Sequence, residues 1–274
     1  MRFANIDMGT MDMKKDGHLI EIEELENKYL NKYWHFLKFS EEEIIKGFNT
    51  KKDILNDWKG KYGKGKTGSS NFAVGAERIV YAILNGKIAG QPNSSPVSSD
   101  LFFETDDAYI HIDLKTVTTK GGTKGASNDN IGDFNTSISI GLNQNSYKYS
   151  RMVVKSTTPK KYRKYVPNLP TYYTKTDGTK KICLSFFITI LSNEITMDTE
   201  MITIMSFPNG ELSKHYKSRP LKPGKNKGET RYNFIKTQEF ELLDDKPKRI
   251  KIVYINPSMS VWIQNKLSFL IGLK

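Results

Sequence analysis

Apolar positions recur at helical spacing through the first third of the chain. Ile20 to Phe36 repeats them every three to four residues among good helix formers and predicts a helix. Phe39-Ser40-Glu41-Glu42-Glu43 opens a second, with Ser40 as its cap and Glu43 three residues on. That helix is expected to end near Gly47 or Phe48, with a further one from Lys52 to Trp58. Asn71 to Leu84 predicts another. Asn71 caps it, Phe72, Ile79, Val80 and Ile83 form its stripe, and Asn85-Gly86 stops it. The period then changes to two. Asp100 to Glu104 and Tyr109 to Val117 read as strands joined by the turn Thr105-Asp106-Asp107-Ala108. Ile182 to Leu191 is nearly continuously apolar, as a strand covered on both faces should be. Met201 to Phe207 and Ile250 to Ile255 are further strands, and Val261 to Leu270 a closing amphipathic helix. A helical flank followed by a mixed sheet places the fold in the α/β (α+β) class. One domain over residues 1–274 is expected: a helical flank at 1–66, a core at 71–206, and a basic loop, strand and helix at 207–274.

The 274 residues can bury a sizeable core. A single Cys excludes a disulfide framework and a Cys-rich zinc site. No apolar run approaches the ~18 residues that span a bilayer, so no membrane partner is expected. The first residues lack the apolar core of a signal peptide, which points to the cytoplasm. The net charge of +12 is unevenly placed. Lys148 to Lys181 holds ten basic residues with only Asp177 against them, and Ser213 to Lys236 holds eight with only Glu229. Lys59, Lys61, Lys64 and Lys66 alternate with glycines. These blocks, rich in Tyr, Thr, Pro, Gly and Ser, read as loops. They suit phosphate contact or plain solvation.

The chemistry concentrates in one hairpin. If Tyr109 to Val117 is a strand, Ile110, Ile112 and Leu114 face a core, and His111, Asp113 and Lys115 share the other face. A turn at Asp106 and Asp107 brings Asp100 close to Asp113. Two carboxylates forced together repel, and a divalent cation relieves the repulsion. Mg²⁺ favours one or two carboxylates plus waters and phosphate oxygens. Lys115 could then orient or deprotonate an attacking water, an arrangement suited to phosphodiester hydrolysis. Acid-x-Lys alone is a weak signal, since the chain holds it five times. Only Asp113-Leu114-Lys115 sits in a β pattern with an acidic strand before it. The plain alternative is a surface hairpin with a cross-strand Asp–Lys pair.

Asp100 followed by Asp113-Leu114-Lys115 resembles the PD-(D/E)XK nuclease signature. Ile112 to Thr116 matches its second half, while Ser99 stands where proline is common. In length, in the helix before the hairpin and in the polar segment after it, the chain most resembles type II restriction endonucleases. The resemblance implies that Asp100 and Asp113 bind Mg²⁺ with the Leu114 carbonyl, and that Lys115 positions the water. It makes Glu77 a further metal ligand from the preceding helix, with Glu104 a weaker candidate. It also implies a homodimer acting on double-stranded DNA and leaving 5′-phosphate ends.

Thr118 to Ser150 holds Lys120, Lys124, Asn128, Asn130, Asn135, Asn143, Gln144, Asn145 and Tyr147. Asn and Gln can read adenine edges and Lys can meet guanine or phosphate, so these are candidate DNA contacts. A mobile polar loop is the alternative. Lys120 to Gly125 lacks phosphate-loop spacing, so no nucleotide triphosphate is expected. His111 reads as a strand histidine and Cys183 as core. Competing functions are another nuclease of the same superfamily (repair, junction-resolving or modification-dependent) and a non-catalytic DNA-binding protein.

Overall fold

The computed structural model describes residues 16–53, 69–85, 90–93, 99–119, 130–154 and 161–273. The helix expected from Ile20 is α1 (Gly17–Phe39), capped by the Asp16 side chain, which accepts from the His18 N–H. Its face of Ile22, Tyr29, Leu30, Tyr33 and Leu37 is buried. Ser40 closes α1, and its carbonyl accepts from Ile44 N–H of α2 (Glu41–Asp53). Glu41, Glu42 and Glu43 lie in the first turn of α2, where negative charge complements the helix dipole. Contrary to expectation, α2 continues through Gly47. A Cβ there would lie only 3.0 Å from Ile79 Cδ1, so the glycine admits the helix α3 (Ser69–Leu84) rather than ending its own. Asn71 lies inside α3, not at its cap. The helix expected over Lys52 to Trp58 falls mostly outside the described residues, with Lys52 and Asp53 in α2.

A short β1 (Gln91–Pro92) precedes the hairpin of β2 (Leu101–Glu104) and β3 (Ala108–Thr118). Thr105 closes the turn through backbone and hydroxyl contacts with Ala108, and Asp107 anchors the turn to Lys28 and Tyr29 of α1. The segment after β3, expected to be a polar loop, instead folds into α4 (Asn130–Phe134) and β4 (Ser137–Ile140). Ile131, Phe134, Ile138 and Ile140 enter the core. The basic block from Lys148 likewise holds three strands: β5 (Tyr149–Val154), β6 (Lys161–Tyr165) and β7 (Tyr172–Thr174). Met152 and Tyr165 point inward while Arg151, Lys161, Tyr162 and Lys164 stay exposed. Alternation is weak there, since β5 carries a register shift between Tyr149 and Met152 and β6 buries only Tyr165, so the outward cations dominate the composition.

The apolar run is β8 (Lys180–Ser192), buried from Ile182 on, and it turns into β9 (Thr199–Phe207). The second basic block, also expected as loop, holds α5 (Ser213–Tyr216), β10 (Leu221–Pro223) and β11 (Thr230–Asn233). β12 (Ile250–Ile255) matches its expectation. The final helix breaks at Leu267 into α6 (Val261–Lys266) and α7 (Ser268–Ile271). The main sheet runs β1-β2-β3-β8-β9-β12, with β7 alongside the start of β8. β3 and β8 are parallel and their neighbours antiparallel, so the sheet is mixed, with α1, α2 and α3 against it. Two smaller sheets, β10-β11-β4 and the ribbon β5-β6, complete the described fold. Among the described residues no helix is long and apolar enough to cross a membrane.

A fully buried ionic cluster joins α1 to the segment before β12. Arg249, fully buried before β12, donates to Glu26 at 2.6 Å and Glu23 at 2.8 Å, both on α1, and to the Tyr216 hydroxyl and the Glu239 carbonyl. Its guanidinium also stacks on the Phe240 ring at 4.1 Å. This cluster ties the first helix to the last strand of the sheet.

Candidate active site

The turn length sets the hairpin register. Leu101 pairs with Ile112 and Phe103 with Ile110, and the next step brings Asp100 opposite Asp113. Ile110, Ile112 and Leu114 are buried in the main core, as the period-two reading requires. β2 ends at Leu101, so β3 runs on past it. The Asp100 carboxylate fills the vacated position and accepts the Leu114 N–H at 2.6 Å. In an extended strand a residue's N–H and C=O point to the same side. The Leu114 carbonyl therefore opens toward the Asp100 edge, beyond the reach of β2.

Asp113 is 4% exposed and Lys115 is ion-paired to its Oδ2. Gln144 donates from Nε2 to the other oxygen, Oδ1, at 2.9 Å. Burial pushes the Asp113 carboxyl up to about 6, with the Asp100 charge adding to the rise and Lys115 and Gln144 opposing it. Glu77, on α3, feels the same cluster: burial and Asp100 raise its carboxyl, and Lys115 lowers it. The hairpin and the preceding helix thus bring Asp100, Asp113, Lys115 and Glu77 into one electrostatic neighbourhood.

Glu104, at the other end of β2, is apart from this group. Lys175 at 2.6 Å and Lys181 at 2.7 Å hold its carboxyl down to about 2. His111 shares the face of Asp113 but packs against the rings of Phe102 at 4.6 Å and Tyr173 at 5.8 Å, and burial pushes it down to about 3. It is neutral at physiological pH. Cys183 is buried beside Phe102 and Tyr109.

Of the candidate DNA contacts, Lys120, Lys124 and Asn128 lie outside the described residues. Asn130 begins α4, partly exposed. Asn143 is partly exposed and accepts from Asn168 at 2.6 Å. Asn145 departs from the expectation: it is fully buried, donates to the Tyr165 hydroxyl and accepts the Tyr147 N–H, both at 2.9 Å, so it cannot reach a base edge. The contact of Gln144 with Asp113 is not legible in the sequence, because 31 residues separate them and no local pattern joins them.

Among the described residues no three His, Cys, Asp or Glu side chains are already gathered as a metal cage. The donor set nonetheless fits a hard cation: two neighbouring carboxylates and a main-chain carbonyl, all oxygen. Nothing here suits a soft metal.

Residues 18–198 match the N-terminal domain of the type II restriction enzyme MwoI, and residues 199–255 match its central domain. The chain belongs to the MwoI family of type II restriction enzymes. It is therefore a site-specific deoxyribonuclease. The junction between the two matched domains falls in the turn between β8 and β9, neighbouring strands of one sheet. Solved structures share the fold. The restriction endonuclease BglI, bound to its DNA recognition sequence, aligns with a TM-score of 0.62 and 16% identity over 89% of this chain and 94% of that one. The tetrameric restriction endonuclease SfiI, bound to cognate DNA, aligns with a TM-score of 0.59 and 15% identity over 88% and 87%. Comparison with curated proteins returns no match.

Proposed function

We propose that this restriction enzyme cuts double-stranded DNA in a Mg²⁺-dependent reaction at the β2–β3 edge. The observation that carries the reading is Asp100 set opposite Asp113 past the end of β2, with Lys115 paired to Asp113. Asp100, Asp113 and the Leu114 carbonyl would hold the ion, with Glu77 completing the set from α3. Mg²⁺ there would neutralise charge on the phosphate and lower the pKa of bound water. Lys115 orients the water whose oxygen attacks phosphorus, and its charge offsets the negative charge that builds on the phosphoryl oxygens. The P–O3′ bond breaks and O3′ takes a proton, leaving a 3′-hydroxyl and a 5′-phosphate.

The exposed cations of the β5–β6 ribbon, Arg151, Lys161 and Lys164, supply phosphate contacts of the kind that dominate DNA affinity. A two-stranded ribbon also matches the width of the major groove. Asn130 and Asn143 remain candidate base contacts. Two strands need two cuts, and a homodimer with two-fold symmetry presents two such edges to a palindromic site. The described elements act as one nuclease domain in this reading, since the strands of both matched family domains share a sheet.

Incubating phage-length duplex DNA with the protein, with and without Mg²⁺, tests the reading. Discrete Mg²⁺-dependent bands are expected, end-labelling should find 5′-phosphates, and Lys115→Ala should abolish cutting while retaining DNA binding. Full cutting by Lys115→Ala would refute the assignment of the site.

A further inference from the structure

The turn that carries Gln144 is held from two directions. On one side Gln144 Nε2 donates to Asp113 at 2.9 Å, while its Oε1 accepts the Gly141 N–H at 2.6 Å. The amide therefore spans the turn and the acid with both of its groups engaged. On the other side the turn is bound to the root of the β5–β6 ribbon. Tyr165, the last residue of β6 and buried, donates its hydroxyl to the Gly141 carbonyl at 3.1 Å and accepts from Asn145 at 2.9 Å. Three residues on, Asn168 donates its N–H to the Leu142 carbonyl at 2.7 Å and its side chain to Asn143 at 2.6 Å. The outer part of the same ribbon displays Arg151, Lys161 and Lys164, with Arg151 stacked on Tyr162 at 5.3 Å.

An unbroken chain of hydrogen bonds thus runs from the end of the basic ribbon, through residues 141–145, to the Oδ1 of Asp113. An Asp113 rotamer shift of a few tenths of an ångström would change what its carboxylate can hold. Gln144 opposes such a shift while Lys115 holds the other oxygen. A serine or leucine at position 144 could not make both bonds.

We propose that Gln144 is a positioning residue for the cleavage reaction, and that it links the seating of the β5–β6 ribbon on DNA to the orientation of Asp113. The inference rests on the hairpin site proposed above. Gln144 itself need touch neither DNA nor the scissile phosphate.

The test compares wild type, Gln144→Leu, Tyr165→Phe and the double variant as full chains. Three quantities are measured: single-turnover cleavage with enzyme in saturating excess over DNA and at saturating Mg²⁺, DNA affinity in Ca²⁺, and binding of Mn²⁺ alone, followed by the electron paramagnetic resonance signal of the free ion. Gln144→Leu should slow cleavage about 10- to 100-fold and weaken Mn²⁺ binding, as expected for loss of a group that orients a metal ligand, with DNA affinity unchanged. Tyr165→Phe should slow cleavage less. The double variant should be no slower than Gln144→Leu, because the two act through one chain of contacts. Gln144→Glu keeps the Gly141 contact but replaces the donor to Asp113 with a carboxylate that repels it. Slowed cleavage in this variant too, with an unchanged circular dichroism spectrum, separates loss of the Asp113 contact from a misfolded turn.

Wild-type cleavage rate and Mn²⁺ affinity in Gln144→Leu would overturn the proposal. So would multiplicative effects in the double variant, which would separate the ribbon from Asp113. If Lys115→Ala cleaves normally, the hairpin site fails first, and that outcome differs from an inert Gln144 beside an essential Lys115.

Discussion

Arg249→Met probes how the first helix is held to the sheet. Methionine keeps much of the apolar contact with Phe240 but removes the guanidinium N–H groups that reach Glu23 and Glu26. Both carboxylates are fully buried and would be left without a cation. Breaking a buried ion pair in this way costs about 3–5 kcal/mol, because the remaining charge is desolvated and unpaired. Neutral donors remain: the Tyr216 hydroxyl at 2.5 Å and Leu242 N–H at 2.8 Å for Glu23, and the Asn209 N–H at 2.6 Å for Glu26. They limit the loss without replacing the charge. For a chain of this size the cost lowers Tm by roughly 6–20 °C. The effect carries a pH signature. Burial already pushes the Glu26 carboxyl up to about 7 against the pull of Arg249, and removing Arg249 pushes it higher. A carboxyl raised in the folded state costs nothing below its unfolded pKa, and the penalty grows as pH rises from there toward the folded value. Thermal unfolding followed by circular dichroism at pH 5 and pH 8 should therefore show the larger deficit at pH 8. Adding Glu26→Gln should recover part of it. A deficit below about 1 kcal/mol at pH 8, or one identical at both pH values, would refute the reasoning.

His111→Leu should leave stability at pH 7 within about 1 kcal/mol of wild type, since neither ring nitrogen has a hydrogen-bond partner among the described residues. With its folded pKa pushed down to about 3, His111 costs wild type stability as pH falls from about 6.5 toward 3, so the variant should unfold at lower pH; coincident acid transitions would contradict this. Asn145→Ala should cost about 1–3 kcal/mol in urea unfolding, by orphaning the Tyr147 N–H and removing one of the two partners of the Tyr165 hydroxyl, and leave the DNA affinity of the folded protein unchanged. Asp113 must lose its proton to bind a cation, so Mg²⁺ affinity measured by calorimetry should fall about tenfold per pH unit below about 6. A flat profile there would argue against Asp113 as a ligand.

The candidate site was legible because its determinants are local. A turn at Thr105 to Asp107 and two period-two runs specify the register, and the register alone sets Asp100 opposite Asp113. The apolar run of β8 was equally plain, because a strand covered on both faces needs no alternation. Composition misled where outward side chains outnumber inward ones. Met152, Tyr165 and Tyr232 hold β5, β6 and β11 in place, yet Lys and Arg dominate the reading of those stretches. Gly47 reads as a stop in one dimension and becomes a close helix contact only once Ile79 is beside it. The role of Asn145 turned on burial, which residue type does not state. Two features belong to the tertiary structure alone: Gln144 on Asp113, and Arg249 between Glu23 and Glu26 more than two hundred residues away. Spacing along the chain carries the geometry of a hairpin, because a few backbone torsions connect its two strands. Contacts across long loops depend on how the whole core closes.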